Sequence, residues 1–430
     1  MSYLLRPRAW SVAERTLCLV LVATALNLLT DWLALTGPSH RPPLFLLDLH
    51  QRFDDYFKFI LSFPPHGPVP SIGWGQEGIE QALTHNPYTG SPTDPHALNN
   101  VHVLPLTATF CLLTSALMRL VAPALLFAAT LAALGAYWMA LVSRHTGGER
   151  QPAWLLLGLA SYPMLMMATR GNVHAGATGL LIVHALLLAL RGRTPVAAAV
   201  LLAVAVNIRP NAGLFLLPLL ALQPRPGRTL LVFGGTSAAI FAGTLAVAHS
   251  LYPTYTLASF RAALADYHYT HIVRDGGVPY GSSLFGALKL FFGYSARLEA
   301  IAGGVALLVV VAGVALHIRQ PLRSPVLLFL TLAAYTLGST VIADYHLFVF
   351  ILVPLAVAIE RGPVAPTSGL AAIAAALMLA PKNFGEIGPA SVQVVLNPML
   401  LLSAACVITV AEWRERRSPT PSAPVLAPAA

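Results

Sequence analysis

The chain is a succession of apolar runs separated by short polar junctions. A helix needs about 20 apolar residues to cross a bilayer. On that measure the runs predict spans at 16–36, 121–143, 152–168, 173–190, 195–207, 211–222, 229–250, 299–317, 324–342, 345–360, 367–381 and 391–411. The pieces 195–207 and 211–222 are short, and read either as bent helices or as a re-entrant pair. Both leave the parity of the later spans unchanged. The segment 104–120 is also apolar, but it ends on Arg119 and is cut from the next run by Pro123. It is expected to lie on a membrane surface as a helix. The fold class predicted is therefore all-α integral membrane, with about 12 transmembrane helices.

Composition agrees with the pattern. Apolar residues make up 56 % of the 430, charged residues only 10 %, and the mean hydropathy is +0.70. Soluble domains carry about 25 % charged residues, so most soluble enzyme folds are excluded. The net charge is +9, but the basic residues stand in ones, twos and threes between apolar blocks. That distribution does not make a nucleic-acid-binding face. Arg outnumbers Lys by 23 to 3, and with the many Ala and Pro this points to a GC-rich bacterial genome. Cys18, Cys111 and Cys406 all sit in apolar stretches, with neither disulfide nor metal spacing. Arg6, Arg8 and Arg15 precede a first run too long for a cleaved signal and without a small-x-small site, which reads as an uncleaved signal anchor.

Charge also orients the spans. With twelve crossings and both termini inside, the inside loops sum to +10 and the outside to −1, the asymmetry of the positive-inside rule. Counting 104–120 as a thirteenth span would put Arg144, Arg150, Arg191, Arg193, Arg225 and Arg228 outside. The twelve-span topology gives the outer face the irregular sequence. A loop at 38–103 holds six acids and six histidines, and a second stretch at 251–296 is rich in Tyr and His and ends in a short interfacial helix. The remaining divisions are an N-terminal module, 1–250, the C-terminal transmembrane helices, 297–411, and a Pro/Ala/Ser-rich tail, 412–430, expected to be disordered on the cytoplasmic side. No internal repeat is visible.

Candidate chemistry collects at the outer junctions. Asp54 and Asp55, followed by Tyr56, open the first outer loop, and either carboxylate could serve as a base. Adjacent residues face different ways on a helix, so one of the two is expected to face a substrate. The alternative is a solvated loop. Arg170 stands with Asn172 at one junction, and Asn207 with Arg209 and Pro210 at another. Such arginines either bind a ligand or snorkel to lipid phosphates. Asp344, Tyr345 and His346 form a third junction, and Lys382 lies at a fourth. His268, His271 and Arg274 belong to the second outer stretch, which reads equally as an aromatic lid or as an interfacial belt. His184 lies inside a span, has no visible partner, and reads as core.

Taken in order, these pieces resemble the C-type (GT-C) glycosyltransferases. They are most similar to glycosyltransferase family 87, the polyprenol-phosphate-mannose-dependent transferases. The matching stretches are Asp54-Asp55-Tyr56-Phe57-Lys58, Asn86-Pro87-Tyr88, Arg170-Gly171-Asn172, and Ala205 to Pro210 leading into Leu214 to Pro218. The Tyr345-His346 junction belongs with them, and the likeness covers about residues 10–360. Arg209 stands where the family has a lysine, which keeps the cation but changes its reach. The resemblance implies a catalytic module in 1–250 and an inverting transfer of a sugar, mannose first, from a polyprenyl-phosphate donor. The acceptor would be a lipid or glycan on the outer face of a bacterial cytoplasmic membrane. It implies Asp55 or Asp54 as base and Arg209 and Arg170 around the donor phosphate, with His346, Arg274 and Lys382 as further phosphate ligands. Asn172, Asn207, Tyr56, His268 and His271 would contact substrate, and neither metal nor cofactor is expected. The competing reading is a transporter or flippase for an anionic lipid or sugar. It accounts for the spans and the junction arginines, but not for the long first outer loop.

Overall fold

The computed structural model describes residues 10–36, 104–118, 120–146, 151–192, 194–274, 281–360, 363–382, 384–388 and 390–417. Among them the chain is helical almost throughout. In order it runs α1 (Val12–Thr36), α2 (Pro105–Leu117), α3 (Pro123–Thr146), α4 (Gln151–Ala160), α5 (Tyr162–Arg170), α6 (Val173–Leu190), α7 (Pro195–Ile208), a 3-10 turn (Pro210–Phe215) with α8 (Leu216–Ala221), and α9 (Pro226–Leu251). There follow α10 (Leu257–Tyr267) with a π-helical turn (His268–Val273), α11 (Leu284–Phe292), α12 (Ala296–Arg319), α13 (Ser324–Gly338), and a 3-10 turn (Asp344–Ile351) with α14 (Leu352–Ile359). The last elements are α15 (Pro366–Met378), a two-residue pairing of β1 (Glu386–Ile387) with β2 (Ala390–Ser391), and α16 (Gln393–Arg417).

The sequence writes most of these boundaries. Proline opens α2, α7, α9 and α15, where its fixed φ and missing N–H are harmless. Ser11 and Glu14 form a capping box at α1, with Ser11 N donating to Glu14 Oε2 at 2.6 Å and Glu14 N to Ser11 Oγ at 3.2 Å. Gly171 ends α5 at φ 75°. That left-handed turn is strained for a residue with a Cβ.

Each of the predicted apolar runs contains helix, though several of the helices stop short of the predicted bounds or are broken within them. By length and composition, six described helices could each cross a membrane, and a seventh is available if α4 and α5, which meet at 47°, form one span. The other apolar helices are shorter, at 10–17 residues. The core runs through α6, α13, the 344–351 turn and α14, with Phe329 and Phe350 fully buried there and Trp138 of α3, Trp154 of α4 and Phe215 of the 210–215 turn fully buried in the same cluster. Around it, α9 and α12 turn apolar side chains outward, with Leu231 and Ile318 each 78 % exposed. An apolar exterior on an apolar core is what lipid, rather than water, requires. The protein is an all-α membrane protein. The helix α2 packs against α9, its Thr109 Oγ1 donating to Thr244 O at 3.3 Å, and buries Ala108 and Cys111 with Ala248, Tyr255 and Phe260.

Alternate junctions of the chain collect at opposite ends of the bundle. At one end Arg191 donates to His145 O, Ser324 N to Glu360 Oε1 at 2.9 Å, Thr367 Oγ1 to Glu412 Oε1 at 2.6 Å, and Arg416 Nη1 to Leu316 O at 2.9 Å. At this basic end Arg144, Arg319 and Arg323 adjoin the junctions in sequence, and Arg225 and Arg228 lie with Pro195 and Val196, which follow the Arg191 junction, around one pocket. The junctions at 170–172, 207–211, 281–283, 339–346 and 379–393 meet at the other end, where the candidate site lies.

Candidate functional site

Three helix breaks build this site. The first is the Gly171 turn between α5 and α6. Asn172 caps α6, accepting from Ala175 N at 3.3 Å. The second is Arg209, which leaves α7 in an extended conformation (φ −140°, ψ 113°) because Pro210 cannot continue the helix. The third is the 3-10 turn that begins at Asp344, fed by the non-helical residues 339–343.

Asn172 joins all three. Its Oδ1 accepts from Arg209 Nη2 at 3.2 Å, and its Nδ2 donates to Tyr345 Oη at 2.8 Å. The side chain is buried, so a single amide positions the guanidinium and the phenol. Arg209 Nε is buried and has no hydrogen-bond partner among the described residues. The Tyr345 and His346 rings lie 4.6 Å apart. His346 is 7 % exposed, its Nδ1 lies 2.9 Å from Ala343 O, and its Nε2 has no hydrogen-bond partner among the described residues. The result is a cationic, partly dehydrated cluster with polar atoms to spare.

Asp344 sits one residue away and behaves differently. It is 0 % exposed, and four donors surround it: Ser282 Oγ, Gln393 Nε2 at 2.5 Å, Tyr162 Oη at 3.4 Å and Asn397 Nδ2 at 3.5 Å. These come from α5, from the segment before α11 and from α16. The carboxylate is fully used in joining them. Ser282 N also donates to Ile342 O at 2.8 Å, and Gly281 bridges Ala343.

The other residues singled out from the sequence fall as follows. Arg170 ends α5, half-buried, next to the Gly171 turn. Asn207 is buried in the last turn of α7, its Nδ2 donating to Ala203 O at 2.9 Å and to Ser237 Oγ at 3.0 Å, which ties α7 to α9. Lys382 is buried, its Nζ donating to Leu377 O and to Ala380 O at 2.8 Å, so it closes the carbonyl end of α15. Burial lowers its pKa, against the opposing pull of the Asp344 carboxylate. Arg274 is exposed, its guanidinium 4.9 Å from the Tyr269 ring centroid. The His271 ring stacks at 4.5 Å on Tyr267, and His268 Nε2 lies 3.7 Å from Glu299 Oε2. Asp54, Asp55 and Tyr56 lie outside the described residues. The structure thus brings Asn172, Arg209 and His346 into one cluster.

Sequence reading missed Tyr345 as the partner of Asn172, and missed Lys289. Lys289 is buried and donates to Ile272 O at 2.8 Å and to Arg274 O, anchoring the π-helical turn. A lysine inside the apolar run 284–292 was the available signal, since a buried ammonium must find acceptors. His184 also has a partner, Tyr137 Oη, at 2.5 Å from its Nδ1, and the His145 ring lies 5.9 Å from it. Among the described residues, no group of three His, Cys, Asp or Glu is placed to hold a metal.

No family model matches the chain, and no curated protein or solved structure is similar to it.

Proposed function

We propose that the protein is an inverting membrane glycosyltransferase. In this reading it takes a sugar, mannose first, from a polyprenyl-phosphate donor and passes it to a lipid or glycan acceptor. The site end faces the outside of a bacterial cytoplasmic membrane, and both termini of a chain of about 12 crossings are cytoplasmic. The observation that carries the reading is the buried, unmatched Nε of Arg209, held by Asn172 beside Tyr345 and His346 at the end of the bundle opposite the basic one.

The chemistry asks little of the protein. A lipid phosphate leaves as an anion without prior protonation, so a fixed cation that favours its growing charge supplies much of the stabilisation. Arg209 fits that role and Arg170 stands near the same turn. The acceptor hydroxyl needs a base, for which Asp55 or Asp54 is the candidate. The apolar flanks of the bundle suit the polyprenyl tail.

One observation favours a transporter or flippase for an anionic lipid or sugar instead. Tyr137 and His184 form a polar pair within the helices, beside His145, as a proton path would require. A single preparation separates the two readings. The purified protein in vesicles is given polyprenyl-phosphate sugars and membrane extract, and products are weighed by mass spectrometry. Glycosylated acceptor supports the transferase. Movement of intact donor between leaflets, with no new glycoside, overturns it.

A further inference from the structure

The polar atoms that the fold leaves unused at the site end describe the ligand more closely than the cation alone does. This step rests on the reading of the Arg209 cluster as the donor site. His346 Nδ1 faces the Ala343 carbonyl at 2.9 Å. A carbonyl only accepts, so Nδ1 carries the ring proton. A proton on Nε2 as well would be a buried charged donor with no acceptor among the described residues. The ring is therefore neutral, and Nε2 is a bare lone pair. It is buried and unmatched among the described residues. Arg209 Nε–H is also buried and unmatched, but as a charged donor. An ionised phosphate oxygen satisfies the donor and repels the lone pair. A ligand that answers both carries an anionic oxygen and, close by, a hydroxyl hydrogen.

We infer that the cluster around Arg209 and His346 selects a hydroxyl-bearing phosphate ester, with Arg209 Nε taking the phosphate oxygen and His346 Nε2 accepting a hydrogen bond from a hydroxyl of the esterified sugar. His346 is then a specificity residue for the donor sugar, and its imidazole is not one of the cations that hold the phosphate.

The test compares two phosphodiesters of equal charge on the full chain in lipid nanodiscs: a short-chain polyprenyl methyl phosphate, and the same lipid phosphate carrying mannose. Wild type binds the mannosylated lipid ~3- to 10-fold more tightly, the worth of one hydrogen bond. His346→Phe abolishes that preference and leaves the affinity for the sugarless phosphate within about twofold, while His346→Gln, which retains an acceptor oxygen, keeps part of the preference. Arg209→Gln weakens both probes alike. Melting temperatures of the same samples show which variants are folded, and His346→Gln carries the comparison if His346→Phe is not. Equal affinity of wild type for the two probes, or an equal loss of both on changing His346, overturns the inference and leaves the donor-phosphate reading standing. Wild type binding neither probe overturns that reading and this inference with it.

Discussion

Changing Asp344 separates a structural carboxylate from a chemical one. In Asp344→Ala both acceptor oxygens go. Two of the four donors keep another partner, since Asn397 Nδ2 also donates to Ser282 Oγ at 2.7 Å and Gln393 Nε2 to Tyr162 Oη at 3.0 Å. The hydroxyls of Ser282 and Tyr162 are orphaned in a dry interior, at about 1–3 kcal/mol each, and buried Lys382 loses the negative charge that acts on it. Relief of the buried carboxylate's own dehydration offsets part of this. The expected loss is about 3–5 kcal/mol, the usual result of removing one partner from a buried charge set. Asp344→Asn keeps the shape and one oxygen but turns an N–H2 towards donors, and should cost about 1–3 kcal/mol. Thermal unfolding in nanodiscs reads both. A double-mutant cycle sharpens the test: Tyr162→Phe destabilises wild type by about 1 kcal/mol, but in Asp344→Ala it removes a hydroxyl already orphaned and takes the last acceptor from Gln393 Nε2, so the two changes should not add. Additive effects in the cycle would refute the clamp. So would an Asp344→Asn protein that melts like wild type but has lost sugar transfer, which would make Asp344 the base.

Three further outcomes are expected. Gly158→Ala in α4 should lower the melting temperature, because a Cβ there would sit 2.1 Å from the Trp138 ring, which is buried and has little room to move; overpacking of this kind costs about 1–3 kcal/mol. Cysteine at exposed Thr254 should react with an impermeant thiol reagent in intact cells and cysteine at Gly227, at the basic end, should not; the reverse labelling would invert the proposed orientation. Asp55→Asn should lower transfer by about 10²–10⁴-fold, the usual share of a general base, with donor affinity near that of wild type; full activity in both Asp55→Asn and Asp54→Asn would move the base elsewhere.

The helices were legible because the bilayer leaves one solution for the backbone, so apolar run length and proline positions were enough. What the runs did not carry was how each helix ends. The run 324–342 stops being helical after Gly338, so that Ile342 and Ala343 can pair with 281–282. The run 152–168 bends at Ser161. The second stands where Pro163 opens the next helix, a signal the sequence did carry, whereas the first is settled by tertiary partners. The same holds for the site. Arg209 and Asn172 stood out as polar groups at junctions, and they do meet. The work of Asp344 was invisible, since its partners Ser282, Gln393 and Tyr162 are 62, 49 and 182 residues away in sequence. His184 looked isolated for the same reason, with Tyr137 47 residues away.

These distant partnerships explain why one end of the bundle carries the chemistry. In an apolar surround every backbone group freed by a helix break must be paired within the protein. The site end contains two 3-10 turns, the Gly171 turn and the non-helical residues 339–343, so it must import polar side chains simply to exist. Much of what it imports is spent there. Lys382 closes α15, Lys289 holds Ile272 and Arg274, Asn207 binds α9, and Asp344 gathers Ser282, Gln393 and Tyr162. A polar residue at this end is therefore no sign of function by itself, and its bonds must be counted first. Counting leaves something over at several places, among them Asn397 Oδ1 at this end and Arg191 Nε and Gln223 elsewhere; at Arg209 and His346 the surplus is a charged donor and an imidazole nitrogen in one neighbourhood. Asn172 takes one nitrogen of the guanidinium and Ala343 one nitrogen of the imidazole, and each leaves a second buried nitrogen unmatched among the described residues. An unmatched buried polar atom costs about 1–3 kcal/mol. A ligand with an anionic oxygen and a hydroxyl would supply what both lack, and that pairing of a charged donor with an acceptor at one helix-break junction, rather than an unmatched atom by itself, singles out the cluster.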